Sequence, residues 1–186
     1  MESCFTRALW ATPPRILGKQ LAPFSLGHAI LLHSIGSPYL SRREAGLPDL
    51  LTALFLCSLE YAAAVDAVIH KQATIAKDAK RWGKAVTRKD FARADTDLRQ
   101  YVTDCFDFPE PWIADGESRR NSGVPTCWMI FGRILGQVKD VHAALTMHMP
   151  LAMSLFVTSE AERGRNFADG EEHPTVTVKP REAPNG

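Results

Sequence analysis

The sequence predicts an all-α, single-domain fold, and three observations predict it. The run from Asp49 to His70 places apolar residues at helical spacing over most of its circumference. Cap and stop residues punctuate the chain at intervals suited to short helices, as in Ser25 with Gly36, Thr87 with Asp90, and Pro150. Hydrophobic residues make up 45% of the 186 positions, enough to fill one core.

The Asp49–His70 run is the expected centre of the fold. Leu50, Leu54, Cys57, Tyr61, Ala64 and Val68 fall on one helical face. Leu51, Phe55, Leu59 and Ala62 fall on a second, and Thr52, Ser58, Glu60 and Asp66 form no single polar stripe. A helix that is apolar nearly all round is expected to be buried. A membrane span needs about 20 mainly apolar residues. Glu60 and Asp66 interrupt this run, and a carboxylate in mid-membrane is costly, so no membrane association is expected.

In chain order, residues 1–14 read as a flexible N-terminus, residues 15–167 as a single helical domain, and residues 168–186 as a disordered tail, polar and proline-rich. Arg15 to Phe24 suggests a small β-hairpin turning at Gly18-Lys19. Ser25 caps a helix over 26–35, with Leu26, Ala29, Ile30 and His33 on one face and Gly36 as its stop. Ser41 to Gly46 is a polar connection, and Pro48-Asp49 opens the central helix. Thr87-Arg-Lys-Asp90 resembles a capping box and predicts a helix over 88–105, with Phe91, Ala94, Leu98, Tyr101 and Val102 inward. Phe106 to Pro125 holds three prolines and two glycines and reads as a long loop, with Phe108, Trp112 and Ile113 available to pin it. Thr126 caps a helix over 127–135 that carries Trp128, Ile130, Phe131 and Ile134 and stops at Gly136. Asp140 to His148 adds a turn or two, and Pro150 opens a last helix to about Arg165. The sum is five or six helices around the central one.

Composition narrows the function classes. Net charge is +1, which gives no global attraction to nucleic acid or to a membrane surface. The four cysteines, Cys4, Cys57, Cys105 and Cys127, form no C-x-x-C pair, and their wide spacing fits a reducing, cytoplasmic setting. Only Ala8 to Ala11 separate Arg7 from Thr12-Pro13-Pro14, too short for the apolar core of about seven to fifteen residues that a secretory signal needs.

No constellation for chemistry emerges, so no catalytic residue, cofactor site or metal site is assigned, and the chain reads as a non-enzyme. His28 and His33 are five apart and His142 and His148 six apart, which does not converge two ligands on one helical face. Glu60 and Asp66 are expected to be buried, and an ion pair with a residue such as Arg15 or Arg43 suits them better than acid–base work. Glu160 and Glu162, beside Arg163 and Arg165, read as a solvated helix end. Neither a nucleophile elbow nor a phosphate-binding glycine loop is present. Gly132 and Gly136 have the spacing of a close helix contact.

Candidate partner-binding residues remain. From His70 to Arg93 eight basic residues face only Asp78 and Asp90, and an acidic segment follows directly. The two blocks can pair with each other, or Lys77, Arg81 and Lys84 can face a partner. Nucleic acid is the lesser reading, because Trp82 is the one aromatic ring in the run before Phe91. Met147, Met149 and Met153, with Phe156, suit either core packing or an adaptable binding surface. Trp112 in the long loop completes the set.

Two stretches carry a resemblance. Ile16-Leu-Gly-Lys-Gln-Leu-Ala-Pro-Phe-Ser-Leu-Gly-His-Ala-Ile-Leu-Leu32, with the Gly36-Ser-Pro38 break and the Asp49–Cys57 helix, resembles the opening of small proteins from bacteriophage and prophage tail regions. Pro150-Leu-Ala-Met-Ser-Leu-Phe-Val-Thr-Ser-Glu-Ala-Glu-Arg-Gly164 is similar to their closing helix. The resemblance covers about a third of the chain. It implies a tail assembly chaperone that binds the tape-measure protein until tail-tube subunits polymerise around it. It also implies an apolar groove rimmed by charge and a flexible tail, while the opposite charge blocks, read on their own, suit docking of charged partners or self-association. The alternative is a nucleic-acid-binding or packaging accessory protein using residues 71–93.

Overall fold

The computed structural model describes residues 12–41, 43–70, 86–106 and 125–163, together with Ile75, Lys77, Arg81 and Lys84. The fold is helical, as the sequence predicts, with seven α-helices among the described residues. They are α1 (Leu26–Ser34), α2 (Leu47–Cys57), α3 (Tyr61–His70), α4 (Arg88–Phe106), α5 (Thr126–Val138), α6 (Val141–Thr146) and α7 (Met149–Glu162). A two-stranded antiparallel hairpin, β1 (Arg15–Ile16) and β2 (Lys19–Gln20), precedes them. Of the flexible segment expected over 1–14, residues 1–11 lie outside the described residues, as do residues 107–124 of the loop expected over 106–125 and the whole tail expected over 168–186, while Phe106, expected to open the loop, closes α4. Among the described residues no helix is long and apolar enough to cross a membrane.

The hairpin turns one residue earlier than the sequence suggests. Arg15 pairs with Gln20 and Ile16 with Lys19, so Leu17 and Gly18 form the two-residue loop. Both have positive φ, 47° and 76°, the condition for the tight hairpin turn that matches strand twist.

Helix α1 starts at Ser25, whose Oγ accepts the His28 N–H at 3.3 Å. It ends where Gly36, at φ 69°, lets the Ser37 N–H return to the Leu32 carbonyl at 2.9 Å. Leu26, Ala29 and Ile30 are buried as expected, but His33 is exposed, and the buried histidine of this helix is His28. The connection after α1 includes a single 3-10 turn at Pro38–Leu40.

The expected central helix is two helices. It breaks at Ser58 to Glu60 because tertiary partners capture the carbonyls that would continue it. Ala22 N–H donates to the Cys57 carbonyl at 2.8 Å, and His28 Nε2–H donates to the Leu59 carbonyl at 2.9 Å. The Ser58 hydroxyl caps the end of α2 by donating to the Phe55 carbonyl at 2.8 Å. Burial divides along the same line. Leu50, Leu51, Ala53, Leu54, Leu56 and Cys57 of α2 are buried, while in α3 only Ala64 and Ala67 are, and Ile69 is 63% exposed.

Helix α4 has the predicted capping box. Thr87 Oγ1 accepts the Asp90 N–H, and Asp90 accepts the Thr87 N–H, each at 3.2 Å. Ala94, Leu98 and Val102 are buried along it, with Phe91 and Tyr101 half-buried. Helix α5 begins at Thr126, after Pro125, and runs through Gly136 to Val138, stopping where Lys139 takes a left-handed φ of 57°. Gly132 and Gly136 face open space, so they do not form the close helix contact their spacing suggests. That contact belongs to Gly27, where an added Cβ would stand 2.6 Å from Tyr61 Cδ2 and 2.7 Å from the Leu145 carbonyl oxygen. Asp140 caps α6 and Pro150 lies in the first turn of α7.

The ends of the domain meet in a short antiparallel clasp. Ser25 bridges His148, with Leu26 N–H donating to the Met147 carbonyl at 2.9 Å and Met149 N–H to the Phe24 carbonyl at 2.8 Å. Tyr101 on α4 braces the same strand, accepting the Phe24 N–H at 3.0 Å and donating to the Ala22 carbonyl at 2.9 Å.

Candidate functional site

An apolar groove of about 360 Å³ draws its lining from several elements. Ile35 at the end of α1, Ser37 and Pro38 at the 3-10 turn, and Pro48, Thr52, Ala53 and Leu56 of α2 line it. Val68 of α3 and Ile75 complete it, and Asp49 is the charged residue of its lining. Each part is placed for a local reason. Gly36 ends α1 and leaves Ile35 40% exposed. Pro48 sits in the first turn of α2, and Asp49 accepts the Gly46 N–H at 2.8 Å, which fixes the start of that helix at the groove. Beyond Ile75, Lys77 and Arg81 are four residues apart with helical backbone, and both are exposed, as is Lys84. The groove is therefore apolar inside, with a carboxylate in its lining and exposed cations following Ile75 in the chain.

A second depression, of about 440 Å³, lies between the N-terminal segment and α4. Arg15, Asp97, Gln100, Tyr101, Asp104 and His148 line it. Its polar groups are engaged locally: Gln100 donates to Asp104, and Asp97 lies 3.8 Å from Arg93.

Among the described residues, the sequence-predicted partner residues divide between surface and core. Lys77, Arg81 and Lys84 are on the surface as expected. Met149 and Met153 are wholly buried, so the surface reading is corrected and both belong to the core. Met147 and Phe156 pack half-buried against that core. Helix α7 packs against α5 and α4, and its 149 and 153 positions, one helical turn apart, are both buried. Trp112 lies outside the described residues.

The carboxylates also differ from expectation. Glu60 is exposed at the break between α2 and α3, and Asp66 is half-buried. Arg43, a suggested partner, instead donates to the Gly36 carbonyl and to Ser41. The buried charge is Glu160, 2% exposed, which the sequence placed at a solvated end; Arg133 of α5 donates to it. Its neighbours Glu162 and Arg163 are exposed, which is why the local sequence read as solvated. A further network went unseen: the Tyr39 hydroxyl donates to Asp95 at 2.7 Å, and Arg99 donates to the same carboxylate at 3.0 Å while stacking over the Tyr39 ring. Trp128 and Met129 of α5 are exposed, at 42% and 40%, which the sequence reading did not single out.

Among the described residues, electrostatics hold the thiols and two phenols in their protonated forms. Burial pushes the Cys57 and Cys105 thiols up to about 12, and raises Cys127 as well. Thiols held protonated are poor nucleophiles and metal ligands. Burial also raises the Tyr39 and Tyr101 phenols. Among the described residues no cluster of His, Cys, Asp or Glu could hold a metal ion, and no buried side-chain polar atom lacks a hydrogen-bond partner. No family model matches the chain, and neither a curated protein nor a solved structure matches it.

Proposed function

We infer that the chain is a non-enzymatic protein-binding domain of bacteriophage tail morphogenesis, a tail assembly chaperone that holds a tape-measure protein until tail-tube subunits polymerise around it. The observation that carries this reading is the groove between α1, α2 and α3. Its apolar lining suits the apolar face of a partner helix, and Asp49 and the cations after Ile75 suit a charged rim. The resemblance of residues 16–57 and 150–164 to tail-region proteins supplies the partner. The setting is the bacterial cytoplasm.

Co-expression with the long, coiled-coil-rich protein encoded by a neighbouring gene tests the reading. The chain raises the soluble fraction of that protein, and Ile35→Asp, at an exposed groove position, reduces the effect. An unchanged soluble fraction with and without the chain refutes it. Exposed Lys77, Arg81 and Lys84 support a second reading, a nucleic-acid-binding accessory protein. Binding of that kind falls steeply with added salt, and absence of DNA and RNA retention at low salt eliminates it.

A further inference from the structure

His28 is the point at which three separate parts of the fold are joined. Its imidazole is 2% exposed. Nε2 lies 2.9 Å from the Leu59 carbonyl, which can only accept, so Nε2 carries the proton. Nδ1 is then the bare nitrogen, and it accepts the Ser25 N–H at 3.2 Å and the Ser25 hydroxyl proton at 2.8 Å. Ser25 is both the N-cap of α1 and the central residue of the clasp with His148. One neutral tautomer therefore holds the start of α1, the break between α2 and α3, and the clasp.

A second proton has no place in this arrangement. It would sit on Nδ1, facing the Ser25 N–H, and turn an acceptor into a donor. The Ser25 hydroxyl could accept from it, but the Ser25 amide would lose its partner inside the protein. We propose that His28 is an acid-operated latch: protonation of its imidazole drives the Ser25 N–H off Nδ1, loosening the cap of α1 and the clasp together, while Nε2–H keeps its bond to the Leu59 carbonyl.

The surroundings favour the neutral form. Burial pushes the His28 pKa below its ordinary 6.5, and the Leu59 hydrogen bond and the field of Glu60 only partly oppose this. Tyr61 of α3 meets the ring edge-on at 6.0 Å, and its phenol is raised by burial. On the Phe24 side, where the rings stack at 5.9 Å, Tyr101 and Cys105 of α4 and Cys57 of α2 are all held protonated by burial. Burial also lowers the pKa of His148 in the clasp. On the other elements packed against α1, Arg133 of α5 is engaged with Glu160, Cys127 is raised by burial, Tyr39 of the 3-10 turn is engaged with Asp95, and His142 of α6 is exposed. The sign follows. The unfolded chain takes up the proton near 6.5 and the folded chain resists it, so stability is full above that value and declines as pH falls below it.

Site-resolved NMR titration of the full chain tests the latch. His28 titrates below 6.5, and on going from about pH 7 to about pH 5 exchange of the Leu26 and Met149 amides, corrected for its intrinsic pH dependence, accelerates about tenfold. His28→Gln, which keeps an uncharged donor, removes that acceleration, and His148→Gln retains it. The proposal is overturned if His28 titrates at its ordinary value with both amides unchanged, or if the acceleration survives in His28→Gln or vanishes in His148→Gln. Should His28→Gln not fold, the wild-type titration and the His148→Gln variant decide.

Discussion

Arg133 reaches from α5 to a carboxylate, Glu160, that has almost no contact with water. The pair joins two helices that also pack against each other, with Ile130 and Ile134 of α5 and Met153 of α7 all buried. Removing the cation takes from this buried carboxylate the charge-assisted hydrogen bond that Arg133 donates. Arg133→Met should therefore cost about 3 kcal/mol, the lower end of the range for a broken buried pair, because Arg133 is itself partly solvated. Arg133→Met with Glu160→Met should recover most of the loss, as two apolar side chains replace the pair. Urea denaturation of the two variants measures both. A double variant no more stable than the single one would show that the pair does more than neutralise its own burial.

The same substitution should have opposite signs at two glycines. Gly27→Ala drives a methyl group against the Tyr61 ring and the Leu145 backbone carbonyl. The ring can swing aside but the carbonyl belongs to α6, so a loss of about 1–3 kcal/mol is expected, typical of overpacking. Gly132→Ala, in a helix with open space around it, should stabilise by about 0.5–1 kcal/mol through helix propensity alone. Thermal denaturation separates the two, with Tm moving down for the first and up for the second.

Tyr101→Phe removes a hydroxyl that satisfies two backbone groups at once, the Phe24 N–H and the Ala22 carbonyl. Leaving them unpaired in a part-buried site should cost about 1–3 kcal/mol. Amide exchange at Phe24 should quicken more than exchange in α7. Uniform quickening throughout the domain would mean that the hydroxyl supports global stability alone.

Met153→Asp should unfold the domain, because the side chain is wholly buried, and Leu54→Asp should do the same. Lys77→Glu, on the surface, should change stability by no more than about 0.5 kcal/mol. Far-ultraviolet circular dichroism distinguishes the three. A folded Met153→Asp variant would return the methionines to the surface.

Cys57 and Cys105 should resist alkylation in the native protein and react once it is unfolded in urea. Both are buried, and their thiols are pushed up to about 12, so little thiolate exists near neutral pH. Residue-level mass spectrometry reads this out, and fast native labelling of either would show that α2 and α4 separate readily.

Local signals were legible in the chain and remote ones were not. The Thr87–Asp90 box, the Ser25 cap, the Gly36 stop and Pro150 in the first turn of α7 all act within one helical turn, and the structure has each of them. The break at Ser58 to Glu60 was hidden because its causes are Ala22 and His28, far upstream in sequence. Glu160 was misread for the same reason, since Arg133 lies a whole helix away while its immediate neighbours are charged and exposed. The exposed cations at 77, 81 and 84 could be read from charge alone. The groove could not, because its lining comes from α1, the 3-10 turn, α2, α3 and Ile75, and no single stretch carries its pattern.

The clasp has a consequence for the order in which the protein becomes itself during synthesis. The first amide of α1, at Leu26, and the carbonyl of Phe24 find their partners only at Met147 and Met149, near the other end of the described chain. Contacts of such long separation raise contact order and slow folding. Helices drawn from the early part of the chain can form as they emerge, yet their shared edge stays open until the beginning of α7 has been made. A nascent chain paused short of that point leaves the apolar residues Phe24 and Leu26 without the strand that clasps them, the kind of transient exposure that favours aggregation.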